Sequence, residues 1–359
     1  MIEKFFPKGL NRFWSSLLSI IVAIFIGAII ILLNGDNPVT AYQSMFNSSL
    51  GSIETLAATL AVATPLIFTG LSVAVAFRTG MDNIGSEGQL YMGGMAAALA
   101  GLVFNGLWGP FHIAIAIAAG FIAGGIWAWI FGWLKVRYKV DLVVTTIMAN
   151  YVAILFTSYL ANYPFKPPSA PIGSTAFLPD NTKLPQFFPF STLNAGFIIA
   201  IVCLVLVWVL FKYTRIGFEW KTVGFNKTYA SYIGMNIEKA MLSAMFLSGA
   251  FAGLAGAVEV LGVQGRFVQN MSPGYGYDGI LVALLAGNTA PGVFAVALLF
   301  GTLRIGGIGM ERVTNVPSEL SQVLQSIIIL LVAGQALVYQ IRGVWRQRKH
   351  HELGKPLRS

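Results

Sequence analysis

Charge is what this chain most lacks. Only 10% of its 359 residues are Asp, Glu, Lys or Arg, against about 25% in an ordinary soluble domain. Hydrophobic residues make up 56%, and the mean hydropathy is +0.72. That balance excludes a soluble globular fold, and lipid accepts only helices or closed barrels. The apolar runs are long and continuous, whereas a barrel needs short alternating strands. Cysteine is nearly absent. Cys203 stands alone inside an apolar run, which excludes an intrachain disulfide and suits a small buried residue. His112, His350 and His351 are too scattered for a metal cluster. No Ser/His pair or His-rich metal motif offers a catalytic set, so no catalytic and no metal-binding residue is expected. A phosphate loop, G-x-x-x-x-G-K-[ST], is also missing: Gly354-Lys355 is followed by Pro356. The net charge of +9 comes without a basic stripe interleaved with aromatics, so no nucleic-acid partner is expected.

What is present is a series of candidate membrane spans. They fall near 14–33, 53–77, 86–104, 111–134, 141–161, 194–211, 240–261 and 319–340, each close to the ~20 residues a crossing needs. The first resembles a signal peptide in its basic start, but no small-residue cleavage signature follows it. It reads as a retained helix. Between the last two spans, 278–309 is Gly-rich and broken by "GNTAPG" at 287–292. It predicts a pair of short or broken helices. With the N-terminus in the cytoplasm, 18 of the 23 Lys and Arg fall on the inner side, as the positive-inside bias requires. The balance holds if 278–309 adds an even number of crossings. The expected fold is therefore an all-α polytopic membrane protein of about ten transmembrane segments, broken helices included, with both termini cytoplasmic. Residues 1–345 form the transmembrane domain and 346–359 a basic cytoplasmic tail.

Two loops stand out. The outer one, 162–193, holds seven of the 15 prolines and is stiff rather than helical. It is either a plain connector or a platform for an external partner. The inner one, 212–239, contains "GFNKTYASYIGMNIEKA". Asn226 is placed to N-cap a short helix through Tyr232, and Gly234 to stop it. Tyr229 and Tyr232 then share a side, which suits a docking element.

The most informative stretch is "FRTGMDNIGSEGQL", 77–90. It puts Arg78, Asp82 and Glu87 beside three glycines between two apolar runs. Irregular backbone at membrane depth survives only against protein or a water-filled cavity, and an arginine at a helix centre costs about 2.5–3.5 kcal/mol. Asn83 and Gln89 add amide donors and acceptors suited to hydroxyls or base edges. A hydrated inner loop would equally explain Arg78. A second stretch, "QGRFVQNMSPGYGYDGILVALLAG" at 264–287, echoes the first: arginine, asparagine, close glycines, an acid, then small residues. The two follow spans of opposite direction, which predicts an inverted repeat with a transport pathway near its midplane. Arg78, Asn83, Glu87 and Gln89 would lie along that pathway, opposed by Asn270, Tyr275 and Asp278.

At these residues the chain resembles the permease subunits of bacterial ABC importers, in the sugar and nucleoside branch. Phe77, Arg78, Gly80, Asn83, Ile84, Gly85, Glu87, Gly88 and Gln89 match the pattern of the nucleoside members; Asp82 replaces a more usual apolar or aromatic residue. "VVTTIMANY" (143–151), which adds Asn150 to the pathway set, "GFNKTYASYIGMNIEKA" (224–240) and "GYGYDGILVALLAGNTAPG" (274–292) extend the likeness over most of the chain. The resemblance implies a permease for nucleosides, or failing that a simple sugar such as ribose, in the bacterial cytoplasmic membrane. It implies no cofactor on this chain, with ATP and magnesium held by a separate ATP-binding subunit. It implies a second, related permease chain, an extracellular substrate-binding lipoprotein, and membrane lipid around the whole. Asn226, Lys227, Tyr229, Tyr232 and Gly234 fall in the segment that couples to the ATPase. An ATP-independent secondary transporter is the competing class. It would need paired acids deep in its helices, whereas Glu54 and Glu259 fall near the outer ends of their spans.

Overall fold

A computed structural model describes residues 25–314 except 34, 105–107 and 189–190, with a few positions between 317 and 327. The start of the first expected span, the 319–340 span beyond those positions and the basic tail at 346–359 lie outside the described residues. Among the described residues every regular element is a helix, and β-pairing is limited to isolated bridges. The helices are α1 (Pro38–Leu50), α2 (Ile53–Arg78), α3 (Ser86–Val103), α4 (Gly109–Tyr138), α5 (Leu142–Asn162) and α6 (Gly196–Tyr213). There follow α7 (Arg215–Phe225), α8 (Lys227–Tyr232), α9 (Ile237–Glu259), α10 (Tyr275–Leu285) and α11 (Ala290–Glu311). A π-turn at Val260–Gln264 extends α9. Among the described residues six helices are long and apolar enough to cross a membrane: α2, α4, α5, α6, α9 with its π-turn, and α11.

Two differences from the sequence reading have clear causes. The 278–309 region is broken near "GNTAPG" as expected, between Leu285 and Ala290, but only α10 is short. α11 runs 22 residues, since its glycines serve packing instead of breaking the helix: a side chain on Gly301 would press on the Thr59 carbonyl at 2.9 Å. Helices α1 and α7 went unforeseen because their sequences are too polar to read as spans. Tertiary packing and the Thr214 cap, which accepts the Gly217 N–H at 3.1 Å, hold α7 in place.

The chain divides into two compact units, 50–302 and a smaller one formed by 1–49 with 303–359. In the smaller unit the last turns of α11 meet α1, where a side chain on Gly306 would run into Met45.

In the larger unit α2 and α9 are central. The most apolar 18-residue window of each is 78% buried, against 28–33% for α4, α5 and α6. Ser72, in the C-terminal third of α2, touches Ser248, near the middle of α9, at 3.2 Å. Around this crossing the chain packs by backbone contact. A Cβ on Gly93 of α3 would overlap Gly253 of α9, and one on Gly124 of α4 would sit 2.5 Å from the Gly249 carbonyl. Small residues give such close approach where lipid supplies no hydrophobic drive. Gly93, Gly94, Gly253 and Gly256 are thus packing positions within this subunit.

The chain doubles back after each central helix. A Schellman turn ends α2: Gly80 sits at φ 72, Met81 N–H bonds the Ala76 carbonyl at 3.0 Å and Gly80 N–H that of Phe77 at 3.1 Å. Residues 79–85 then return to the level of Ser72, where Ser86 opens α3 (Ser72–Ser86, 3.3 Å). That is about 9 Å back along α2 at 1.5 Å per residue. After α9, residues 265–274 likewise return to Thr69, whose hydroxyl donates to the Tyr275 carbonyl at 3.0 Å, and α10 begins there. Each of the helices that follow packs on the opposite central one, α3 on α9 and α10 on α2.

The Pro-rich segment is knitted to the end of α9. Thr175, Leu178 and Leu184 N–H groups bond the Phe267, Gly265 and Leu261 carbonyls at 2.9–3.0 Å.

Gly253→Val should destabilise the folded chain by about 3 kcal/mol through overpacking. Val205→Ala, on the exposed face of α6, should change little. Thermal unfolding in detergent, read by size exclusion after heating, compares them.

Candidate functional site

The N-terminal ends of α3 and α10 meet inside the larger unit, and what they need explains the residues found there. A helix start leaves its first N–H groups without intrahelical partners. Gly85 at the N-cap of α3 has no side chain to help. Asn150 of α5 does the work instead. Its Oδ1 accepts the Gly88 N–H at 2.8 Å, and its Nδ2 donates to the Ile84 carbonyl at 3.0 Å. Thr146, one turn earlier, accepts the Ile84 N–H at 3.2 Å.

At α10 the cap is Glu87. Its carboxylate accepts the Gly276 N–H at 2.6 Å, while Ser272 accepts the Tyr275 N–H at 3.1 Å. Glu87 itself lies in the first turn of α3. One buried carboxylate therefore sits at two helix N-termini, whose dipoles both favour negative charge.

Asn83 and Gln89 form a reciprocal amide pair: Asn83 Nδ2 donates to Gln89 Oε1 at 3.2 Å, and Gln89 Nε2 to Asn83 Oδ1 at 3.0 Å. Asn83 also donates to Ser248 at 2.9 Å and accepts the Gly85 N–H at 2.9 Å. Amide orientations follow from this network.

Asn83, Glu87, Gln89 and Asn150 are thus buried, each at most 3% exposed, and each is engaged by protein. They build the shape of the broken-helix region; none is open to solvent here. Tyr275 is buried, Asp278 half-buried and Asn270 exposed at φ 57. The echo segment does come opposite the first stretch, with Gly276 on Glu87 as the direct contact.

Arg78 is elsewhere, at the C-terminal end of α2. Its guanidinium lies 4.7 Å from the Phe211 ring centre. Lys221 of α7 reaches the same ring at 5.8 Å and donates to the Phe211 carbonyl. Burial first, and the Arg78 charge second, push the Lys221 pKa below its ordinary value. Trp220 packs edge-on to Phe211 and donates to Ser243 at 3.2 Å. At the end of α7, Gly224 lies against the turn after α2. A Cβ there would overlap the Arg78 carbonyl, and one on Gly80 would stand 3.3 Å from the Gly224 Cα.

The predicted short helix follows directly. Asn226 caps it by accepting the Tyr229 N–H at 2.9 Å. Gly234 at φ 78 ends it, with Met235 N–H on the Ala230 carbonyl at 3.0 Å. Lys227, Tyr229 and Tyr232 are exposed, with Tyr232 at 87% and Phe225 before it at 93%. Sequence reasoning missed the clamp of α7 on α2 because Gly224 and Gly80 are 144 positions apart and carry no side-chain signal. Among the described residues no cluster of His, Cys, Asp and Glu could hold a metal ion.

Two helices, α3 and α10, thus begin inside the packed larger unit against α2, not at its ends. In comparison with known sequences, the family model for the branched-chain amino acid transport system / permease component matches residues 55–333, and the chain belongs to that permease family. It is 38% identical to the guanosine ABC transporter permease protein NupP of Bacillus subtilis over 345 residues, covering 95% of this chain and 99% of that one. It is 34% identical to the nucleoside ABC transporter permease protein NupB of Lactococcus lactis, covering 90% and 91%. The glucose ABC transporter permease protein TsgB13 of Haloferax volcanii is also 34% identical, with 88% and 85% covered.

Asn150→Ala removes a helix cap, and such losses cost about 0.5–2 kcal/mol. It should lower the unfolding temperature more than Thr145→Ala on the exposed first turn of the same helix, by the same thermal measurement.

Proposed function

We propose that this chain is the membrane-spanning subunit of an ATP-driven nucleoside importer in the bacterial cytoplasmic membrane. The observation that carries the substrate class is the end-to-end match to NupP and NupB. Glu87 supports it. Half-helix N-termini at mid-height are where a transporter holds an anionic substrate group, and a carboxylate of this chain already fills that place. A neutral substrate with hydroxyls and a base suits such a site better than an amino acid, whatever the family description names. The glucose relative favours a simple sugar as the second reading.

The pathway runs beside the broken-helix region. Asn83, Glu87, Gln89 and Asn150 set its shape, Asn270, Tyr275 and Asp278 border it from the other half, and Arg78 ties it to the inner face. The two central helices, each followed by a return and a half helix, form an inverted repeat. Each return and half helix together make one crossing. Those two crossings, six long helices and the spans near 14–33 and 319–340 bring the count to ten, with both termini inside. Residues 1–345 are then the permease domain and 346–359 its cytoplasmic tail. This chain binds no cofactor. ATP and magnesium sit on a partner ATPase, which docks on Asn226, Lys227, Tyr229, Tyr232 and Gly234. A second, related permease closes the path, and an extracellular binding lipoprotein delivers substrate.

Coexpressed with its ATPase, second permease and binding protein and reconstituted in vesicles, the complex should take up labelled guanosine or uridine only with ATP. Excess nucleoside should compete and excess glucose should not; competition by glucose alone would establish the sugar reading. In the same preparation Tyr229→Asp should abolish substrate-stimulated ATP hydrolysis and leave the melting temperature of the chain unchanged. Normal stimulation would remove the docking assignment.

A further inference from the structure

The outward face of α5 differs from the other peripheral spans. On α6 the exposed positions along the span are Ile198, Val202, Val205 and Leu206, with aromatics only in the last turns. On α4 they are Phe111, Ile122, Ile126, Trp129 and Ile130, with Trp133 and Tyr138 toward the end and no hydroxyl before that last residue. Both read as lipid faces with an interfacial belt.

On α5 most exposed positions are apolar as well, Val144, Met148, Val152, Leu155 and Phe156, but Tyr151 and Tyr159 stand among them, with Tyr163 at the C-cap and the half-buried Ser158 and Asn162 alongside. Tyr159 and Tyr163 are near one end of the helix and fit a belt. Tyr151 does not. It is the tenth of 21 residues, about 14 Å from the start of the helix at 1.5 Å per residue, yet 57% exposed. A hydroxyl at that depth facing hydrocarbon is costly, so this face meets water or protein.

Polar neighbours continue the stripe. Tyr277, exposed on α10, lies near Asn150 and Tyr151. Asn162 donates to Gln269 of the echo segment at 2.8 Å. At the outer end, Leu155, Ser158, Tyr159, Asn162, Tyr163 and Lys166 surround an open hollow of about 400 Å³, within the ~300–1,000 Å³ of small-molecule sites.

We propose that this stripe is one wall of the substrate path, where Tyr151, Tyr159 and Tyr163 stack on the base of a passing nucleoside. Ser158 and Asn162 offer hydroxyl and amide groups to its sugar. Rings with a polar tip suit this role, because every base has a face to stack on and a shallow half-site holds it weakly enough to let go. The proposal rests on the nucleoside reading above and adds the residues that would recognise the base.

The test uses the assembled importer in a Cys203→Ser background, since Cys203 is the only cysteine. Tyr151→Cys and Ser158→Cys should react with a charged, water-soluble maleimide much faster than Val205→Cys on the lipid face of α6. Guanosine delivered by the binding protein should slow both reactions. Tyr151→Ala should lower guanosine uptake about tenfold, the scale of one lost stacking partner, and Tyr151→Phe should stay near wild type. With uptake by the parent complex intact, labelling at 151 no faster than at 205, or equal uptake by the Ala and Phe variants, overturns the stripe alone. A parent complex that carries glucose and no nucleoside overturns the nucleoside reading, and base stacking with it. In that case fast labelling at 151 would still mark a water-filled path.

Discussion

A helix that starts inside a membrane must have its first N–H groups satisfied by something other than water, and this requirement organises the larger unit. α3 and α10 both begin beside the C-terminal half of α2, at Ser72 and Thr69. Neither has a cap of the ordinary local kind from the residue before it. Asn150 reaches from α5 to one and Glu87 from α3 to the other. The burial of Asn83 and Gln89, the pairing of Ser72 with Ser248 and the glycine contacts of α9 follow from bringing those helix starts together. A buried carboxylate without such partners would be expensive; between two helix N-termini it has both hydrogen bonds and favourable dipoles.

The same region is joined mechanically to the inner loop. Gly80 ends α2, and Gly224, near the end of α7, packs on that very turn. Arg78 and Lys221 hold the Phe211 ring between them, so α2, α6 and α7 share one anchor. Exposed Tyr229 and Tyr232 lie one short helix away.

Much of this was legible in the sequence. Apolar runs marked the long helices, because a crossing needs length and composition that chance rarely supplies. Asn226 and Gly234 marked the short helix, because caps and left-handed stops act locally. The echo between 77–90 and 264–287 pointed to two matching breaks. α1 and α7 were not legible, since their polar sequences are held by contacts distant in the chain. In 278–309 the break at "GNTAPG" was legible, but the full length of α11 was not, because a glycine that breaks a helix and one that lets another helix approach look the same in one dimension.

The sequence by itself determined the class of protein, the long spans, the places where helices stop and the likeness to nucleoside permeases. All of these depend on neighbours along the chain or on composition. Tertiary structure alone decided what the polar residues of the opening stretch do. Asn83, Glu87 and Gln89 looked like groups waiting for a ligand, and they are instead occupied by Ser248, Gly276 and each other. A hydrogen-bond donor or acceptor has no fixed partner until the fold brings one within about 3 Å, and here two of the partners arrive from 165 and 189 residues away.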